Sequence, residues 1–326
     1  MRICLRIALK LAIALSLPCV SYGQTEGTFT ISNSVLLFET TETSMSGQPH
    51  EDLLVVSTTD TVVVRSPVGF FGQDYNTVFP ALAPGADRVA WGLSTHDESR
   101  KVRLKAVLGL YSLVDKTWKT YGDFCDGGVG SVAFAPDGTR VAFASQSKDS
   151  PGDGYCFNNP IMLQILDTAT GKLTPISYPG RAIENARLSL SPDGKYLVGQ
   201  FCCSASSTYQ IVVIDLAGGG GTVIAEGTDP AWSPKGDWIS FEDQKKKKCM
   251  LIHPDGTGMK PVEDLKGYWL FLKGAVWSPD GDKLLFNEEE VDSGGNVSIL
   301  DLSNGDLTRR SKNTLFVLGW ARQPPN

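Results

Sequence analysis

Hydrophobic and polar positions recur in one phrase along the chain. Each copy has a large apolar residue, a short proline-containing turn and then a largely apolar run. The five copies are LAPGADRVAW (82–91), FAPDGTRVAF (134–143), LSPDGKYLVG (190–199), WSPKGDWISF (232–241) and WSPDGDKLLF (277–286). Their turn prolines are about 42 to 56 residues apart, a period typical of stacked structural units.

Each copy predicts a β-hairpin. Proline presets the backbone of a turn, aspartate can bond nearby backbone groups, and glycine adopts positive φ at little cost. Glycine holds the last turn position at Gly138, Gly194, Gly236 and Gly281, whereas Ala86 departs from the pattern. The apolar runs that follow, such as RVAFAS and KLLFN, are β-prone and favour a buried second strand.

A second hairpin follows each copy. LQILDTATGKLTPI (163–176) and VSILDLSNGDLTRR (297–310) are examples, with apolar runs on both sides of a turn rich in Asp, Gly, Asn and Thr. The sequence between copies shows no amphipathic helical stretch of useful length, which argues against a parallel sheet with crossover helices. Four strands per repeat predict an all-β propeller of four-stranded antiparallel blades.

The two ends of the chain supply one further blade. SVLLFETT (34–41) and DLLVVSTTDTVVVRS (52–66) read as strands two to four of a blade, and LFVLGWARQ (315–323) reads as its missing first strand. Pairing them gives six blades and removes exposed sheet edges. We therefore expect the tail around Trp320 to lie beside the segment near Leu36.

The phrase resembles the WD40-like PD40 repeat of TolB-type six-bladed propellers. The resemblance covers roughly residues 78–310, with motifs near 80–91, 132–145, 188–200, 230–241 and 275–286. It implies a periplasmic, partner-binding role. It concerns the propeller alone, since residues 24–77 are too few and too strand-like for TolB's separate N-terminal α/β domain.

Residues 1–23 predict a secretory signal peptide, leaving 24–326 as a single propeller domain. Arg2, Arg6 and Lys10 flank a short apolar run that ends in small residues. An uncleaved anchor and a lipoprotein acylated at Cys19 are the alternatives. No later apolar stretch is long enough to span a membrane, so a periplasmic or secreted protein without an integral membrane segment is expected.

Charge argues against nucleic acid as a partner. The chain after residue 23 has 27 basic and 36 acidic residues, a formal charge of −9, whereas phosphate backbones need clustered Lys and Arg. The run KKKK (245–248) is interpreted as a solvated loop.

Strand order divides the connections between two faces of the expected ring. The Pro-Asp-Gly turns and the turns between strands three and four share one face, here called the turn face. Connections between strands two and three, and between blades, share the opposite, loop-rich face, where binding usually resides. The two-three connections are predicted at 94–101, 146–160, 201–208, 242–248 and 287–295, and the candidate binding residues in them are Arg100, Asp149, Tyr155, Phe157, Lys245, Lys246, Glu288 and Glu289.

Five cysteines follow the signal segment: Cys125, Cys156, Cys202, Cys203 and Cys249. In an exported protein they suggest disulfides, with Cys125–Cys156 preferred and Cys249 pairing with Cys202 or Cys203 across adjacent blades. A structural zinc site is the competing interpretation, but the spacing lacks a Cys-x-x-Cys pair. No metal and no cofactor are expected.

Catalytic candidates are weak. The chain lacks the Gly-x-Ser-x-Gly motif and has no room for the hydrolase domain that accompanies propellers in prolyl oligopeptidase-type enzymes. His96 with Asp97 and Glu98 is the best local acid–base cluster, although a solvated polar loop is the favoured interpretation of it.

Two hypotheses remain. The first is a monomeric, non-enzymatic exported propeller that binds a protein or envelope component through the loop-rich face and the channel mouth. The second is a small propeller hydrolase or lyase acting on a carbohydrate or peptide. Convergent titratable groups with shifted pKa values at the channel mouth would favour catalysis, and an apolar patch with a polar rim would favour a partner.

Overall fold

The protein is all-β. The computed structural model describes residues 31–43, 49–67, 71–72, 80–97, 102–124, 129–146, 161–178, 181–182, 187–202, 208–246, 248–262, 274–290, 294–310 and 316–324. Within these ranges the chain forms 26 strands in six antiparallel sheets, and none of the described residues is helical. No helix in this part of the chain could therefore span a membrane. Residues 1–23, the predicted signal peptide, lie outside the described ranges.

The sheets are the six predicted blades, which we number from the first copy of the repeat. Blade 1 contains β4 (Phe71–Gly72), β5 (Ala81–Leu82), β6 (Arg88–Asp97), β7 (Val102–Ser112) and β8 (Thr117–Phe124). Blade 2 contains β9 (Val129–Phe134), β10 (Arg140–Gln146), β11 (Ile161–Asp167) and β12 (Leu173–Ile176). Blade 3 contains β13 (Arg181–Ala182), β14 (Leu188–Leu190), β15 (Tyr196–Cys202), β16 (Tyr209–Asp215) and β17 (Gly221–Glu226).

Blade 4 contains β18 (Thr228–Trp232), β19 (Ile239–Asp243), β20 (Lys248–Ile252) and β21 (Lys260–Pro261). Blade 5 contains β22 (Val276–Trp277), β23 (Lys283–Glu290), β24 (Gly294–Asp301) and β25 (Leu307–Arg310). Blade 6 joins both ends of the chain in the order β26 (Phe316–Arg322), β1 (Ser34–Thr43), β2 (Pro49–Val56) and β3 (Thr61–Val64).

The first strands of the blades form a closed ring. β5, β9, β14, β18, β22 and β26 each contact the first strand of the next blade, and β26 contacts β5. β1 pairs antiparallel with β26, and Leu36 lies opposite Trp320 in that register. Trp320 also donates from Nε1 to Ser34 Oγ at 2.9 Å. The prediction that the two ends close a six-bladed ring is therefore confirmed.

Buried side chains fill the spaces between blades rather than one central core. Six apolar clusters are present in the described residues, and each joins two neighbouring blades. The second strands supply large members, among them Trp91, Phe143 and Phe286. In blade 3 the equivalent residue is Gly199, whose missing side chain leaves room for Leu188 and Phe201. Blade-to-blade packing thus stabilises the ring, so each blade depends on its neighbours.

The Pro-Asp-Gly turns form as predicted. In each turn the last residue donates its backbone N–H to the carbonyl three residues earlier, as Gly138 does to Ala135 and Gly281 to Ser278. The aspartate accepts backbone N–H groups, for example Asp137 Oδ1 from Thr139 at 2.9 Å. Arginines at the start of second strands reach the next blade's turn, where Arg88 Nη2 donates to Gly138 O at 2.9 Å.

Ala86 occupies the glycine position of its turn with φ of 52°, in the left-handed region. An L-residue pays about 1–2 kcal/mol there, while glycine loses about 0.4–1 kcal/mol through the entropy of the unfolded chain. We expect Ala86→Gly to raise the free energy of unfolding by about 0.5 kcal/mol and Gly236→Ala, the matched reverse change at φ 84°, to lower it by a similar or larger amount. Guanidinium midpoints measure both, and equal effects of the same sign would contradict this explanation.

Several strands on the loop-rich face are longer than the sequence predicted. β6 continues through Asp97, β15 through Cys202 and β23 through Glu290, into segments predicted to be loops. Their backbone groups pair across hairpins, since Glu290 lies opposite Gly294 and Asp97 opposite Val102. Charged residues at the strand ends favour loops in the sequence, but the pairing uses backbone groups, which charged side chains do not block.

Candidate functional site

In blades 2 to 6, the position five residues before the turn proline or its counterpart lies within two residues of the start of the first strand, at the loop-rich face. The equivalent residues there differ in chemistry from blade to blade: they are Ser131, Arg187, Asp229, Gly274 and Val317. Side chains link neighbouring first strands at this level, because Leu188 N donates to Ser131 Oγ at 2.9 Å and Trp232 N donates to Ser189 Oγ at 3.0 Å. A ring of first strands therefore presents two opposite charges, Arg187 and Asp229, on adjacent blades.

A second polar position lies eight residues after the turn proline, on the second strand. In blade 3 it is Gln200, whose Oε1 accepts the backbone N–H of Asp229 in the next blade at 3.1 Å. In blade 5 it is Asn287, which bonds both the N–H and the carbonyl of Val317, at 2.8 and 2.9 Å. Both side chains therefore tie one blade to the start of the next.

Glu242 holds this position in blade 4 but does not make the equivalent link. Its counterpart in the next blade would be Gly274, and among the described residues its carboxylate accepts no hydrogen bond. Burial, and secondarily the charge of Asp229, raises the pKa of Glu242 to about 7. Within the described ranges, this carboxylate is partly buried and has no compensating partner.

Asp229 and Arg187 stand next to Glu242 in this cluster. Both residues are partly exposed as a whole, although their charged ends are shielded from water. Burial raises the pKa of Asp229, and the charge of Arg187 opposes the rise. Burial likewise lowers the pKa of Arg187, opposed by Asp229. Asp229 also has a strained backbone, with φ of 53°.

Gly274 allows these groups to come together. A Cβ at this position would lie 2.7 Å from Arg187 Nη1 and 2.8 Å from the Asp229 carbonyl oxygen, and its φ is +63°. Only glycine fits both the backbone conformation and the space. We call Arg187, Asp229, Glu242 and Gly274 the channel-end cluster.

Cys249 lies directly across from Glu242 on β20. It is a free thiol, 6% exposed, and burial followed by the charge of Glu242 raises its pKa to about 12. The expected disulfide from Cys249 to Cys202 or Cys203 is therefore wrong in this structure. The physical reason is direction: Cys249 packs among Ala231, Trp277 and Phe286 between blades 4 and 5, away from blade 3, which carries Cys202.

Two lysines of the KKKK run lie in the turn after β19. Lys245 bonds Glu226, and Lys246 Nζ lies 3.0 Å from Asp243 Oδ2. Asp243 also accepts the backbone N–H groups of both lysines. Their charges are therefore engaged near the rim and do not compensate Glu242.

The other predicted residues are less informative. His96 and Asp97 lie at the end of β6, Glu288 and Glu289 on β23, and Cys202 at the end of β15. The residues that fall outside the described ranges are Glu98, Arg100, Cys125, Asp149, Tyr155, Cys156, Phe157 and Cys203. The preferred Cys125–Cys156 disulfide stays a prediction.

Sequence reasoning missed the channel-end cluster. Asp229 and Glu242 lie inside strands and Arg187 directly precedes one, in parts of the repeat whose pattern is mainly apolar. An alignment of the five copies on their prolines would have revealed it, because charge at these inner positions breaks the repeat pattern. No group of three or more His, Cys, Asp or Glu side chains in the described residues could hold a metal ion.

A second concave region lies on the opposite, turn face. An open cleft of about 930 Å³ separates the turns of blades 3 and 4, with Tyr196 stacked on Trp232 at a centroid distance of 6.3 Å. Its carboxylates are occupied by the turns themselves: Asp193 accepts Ser191 Oγ at 2.6 Å, and Asp215 accepts the N–H of Ala217 at 2.9 Å. The carboxylates that line the cleft therefore stabilise their own turns, which explains their presence without a bound ligand.

Comparison with known proteins supports the fold. The sequence matches no protein-family model and no curated protein. Among solved structures, TolB from Acinetobacter baumannii is similar at a TM-score of 0.62 and 14% identity, over 89% of this chain and 66% of that chain.

Two further structures show the same architecture. A protein described as a TolB of Agrobacterium tumefaciens aligns at a TM-score of 0.55 and 17% identity, over 86% of this chain and 89% of that one. A puromycin hydrolase aligns at 0.59 and 12% identity, over 90% of this chain and 48% of that one. At these identities the likeness shows the fold alone, a TolB-like six-bladed propeller.

Proposed function

We propose that this protein is an exported, non-enzymatic propeller that binds a protein or cell-envelope component through its loop-rich face and the end of its channel. The observation that carries the proposal is the channel-end cluster, where Glu242 keeps a partly buried carboxylate without a hydrogen bond from any described residue. Buried charge without a partner is costly, so natural proteins retain it where a ligand or reaction uses it. TolB-like architecture supports a binding role by analogy of fold.

A second candidate is a hydrolase or lyase acting on a carbohydrate or peptide. A carboxyl with a pKa near 7 is suited to general acid–base work, and Asp229 supplies a second carboxyl nearby. Both candidates require a ligand at the cluster. Binding needs nothing further, whereas turnover also needs a reacting bond held against both groups, so binding is the function that the geometry supports best.

Affinity capture with matched variants tests the proposal. The full-length protein, immobilised, should retain a specific component of its own envelope or secretome. The double change Lys245→Ala and Lys246→Ala on the loop-rich face should change retention at least fivefold, while Lys195→Ala on the turn face should not. Equal retention by both variants would contradict binding through the loop-rich face.

Turnover distinguishes the second candidate. On the binding hypothesis, neither His96→Ala with Asp97→Ala nor Glu242→Gln changes the hydrolysis of peptide or oligosaccharide mixtures, because the wild-type protein has no activity to lose. Activity that disappears in Glu242→Gln would instead support the enzyme.

A further inference from the structure

We propose that the channel-end cluster is a receptor for a primary ammonium group, supplied by a lysine side chain of the bound partner. The proposal rests on the proposed function and names the chemistry by which a partner is held. The site lies between Glu242, Asp229 and Thr228, where blades 3, 4 and 5 meet at the loop-rich end of their first strands.

The negative charge of Glu242 favours binding of a cation at the channel-end cluster. Arg187 acts on Asp229 and offsets its charge, but it is not among the groups that perturb Glu242. Of the lysines in the adjacent turn, Lys245 is bonded to Glu226 and Lys246 to Asp243. Among the described residues no cation acts on Glu242, so within this part of the chain its negative charge is not compensated when it is ionised.

The hydroxyl of Thr228 is a second, independent observation. Thr228 lies directly opposite Glu242 in the pairing of β18 with β19, so the two side chains point to the same face of the sheet. The residue is 4% exposed, and no described residue forms a hydrogen bond with its Oγ1. Thr228 is close enough to Asp229 to oppose the rise in that carboxyl's pKa, but the two do not meet hydrogen-bond geometry.

The acceptor set matches an ammonium group better than a metal ion. A lysine ammonium has three N–H donors and no acceptor. Glu242, Asp229 and Thr228 offer three acceptor groups, one for each N–H donor. A divalent cation prefers six or more oxygen ligands, and no cluster of three metal-binding side chains occurs in the described residues.

Lysine also suits the depth of the site. The charged ends of the cluster are shielded from water while each residue stays partly exposed, so a ligand must reach inward from the rim. A lysine carries its charge on a flexible four-carbon stem that can pack along apolar surface. A headgroup amine such as ethanolamine carries its charge on a stem of only two carbons, so it has less apolar length to pack along the entrance.

Binding should depend on pH through Glu242. The titratable and charged groups around it are Asp229 on β18, Cys249 on β20 and, one blade away, Arg187; Asp243 and Lys248 follow at the rim. The ammonium group needs Glu242 ionised, and a pKa of about 7 leaves roughly a tenth of it ionised at pH 6 and nine tenths at pH 8. Affinity should therefore rise about tenfold from pH 6 to pH 8.

The test uses calorimetric titration of the full chain with the capped peptide acetyl-Lys-Lys-Lys-amide. The same peptide with acetylated side chains, and ethanolamine, are the comparison ligands. We expect the lysine peptide to bind at pH 8 and the other two to bind at least tenfold more weakly. Tight ethanolamine binding would overturn the assignment to a lysine side chain.

Matched variants locate the site. Glu242→Gln preserves shape and should weaken peptide binding at least tenfold and abolish its pH dependence, and Asp229→Asn provides a second variant should the first fold poorly. Glu226→Gln, an exposed carboxylate of the same rim, should change affinity less than twofold. Circular dichroism and thermal unfolding establish that each variant is folded.

The outcomes separate this inference from the proposed function. If the wild-type protein binds no lysine peptide, or Glu242→Gln binds it unchanged, the ammonium receptor is wrong even where partner capture through the loop-rich face succeeds. If retention of the captured component is also unchanged in the loop-rich-face variants, the proposed function is wrong as well.

Discussion

A chain that ends at residue 315 should fail to fold cooperatively. This deletion removes β26, the first strand of blade 6, together with its pairing to β1 from Ser34 to Glu39. It also removes the fully buried Val317 and the nearly buried Leu318, which belong to the clusters on the two sides of blade 6. We therefore expect the folded propeller to be stable only when the two ends of the chain close the ring.

The magnitude follows from burial. Each buried aliphatic side chain contributes about 1.5–3 kcal/mol, and the deletion exposes Leu36 and Leu37 on β1 as well as removing Val317 and Leu318. The total, about 6–12 kcal/mol, is comparable with the whole stability of an ordinary domain. The open edge of β1 should in addition promote aggregation.

Guanidinium unfolding monitored by tryptophan fluorescence measures this effect. A control chain ending at Gln323 keeps β26 and the bond from Gln323 N to Asn33 O at 2.8 Å, and it should unfold like the full chain. Cooperative unfolding of the 315-residue chain within about 1 kcal/mol of the full chain would show that the ring does not depend on β26.

Gly274→Ala should destabilise the protein by about 3 kcal/mol. The left-handed backbone of residue 274 costs an L-residue about 1–2 kcal/mol, and overpacking typically costs a further 1–3 kcal/mol. The Arg187 guanidinium can move aside, but the Asp229 carbonyl, 2.8 Å from the added Cβ, belongs to the backbone of β18 and cannot move cheaply.

Gly220→Ala is the matched control for this substitution. Nothing lies within 4 Å of a Cβ at residue 220, and its φ is outside the left-handed region. We expect a change in the free energy of unfolding below about 0.5 kcal/mol for Gly220→Ala. Similar losses at both positions would mean that the packing of the channel-end cluster is unimportant for stability.

The repeat alone predicted most of the fold. Proline and glycine at fixed offsets specify the hairpin turns, and the apolar runs specify which strands are buried, so blade number and even the Leu36–Trp320 pairing followed from sequence. Strand ends were harder. Residues 288–290 carry charge, and the pairing that keeps them extended comes from the partner strand, which a local pattern does not reveal.

The site could be predicted only in position. The sequence placed function on the loop-rich face, but it selected exposed loop residues and passed over Arg187, Asp229 and Glu242. These three residues are separated by up to 55 positions in the sequence. Their shifted pKa values result from burial and from their effects on one another. Likewise, the direction in which Cys249 points depends on blade packing, so cysteine spacing alone could not determine its partner.

A carboxyl titration of Glu242 tests most directly the claim that two carboxyl groups are held together, shielded from water, at the channel end. Carbon-13 NMR of glutamate-labelled protein, with the resonance assigned by its loss in Glu242→Gln, gives the midpoint. We predict a midpoint near 7 in the wild-type protein, falling towards the ordinary glutamate value, but not reaching it, in Asp229→Asn. A wild-type midpoint at the ordinary glutamate value of 4.5, unchanged by Asp229→Asn, would contradict the account.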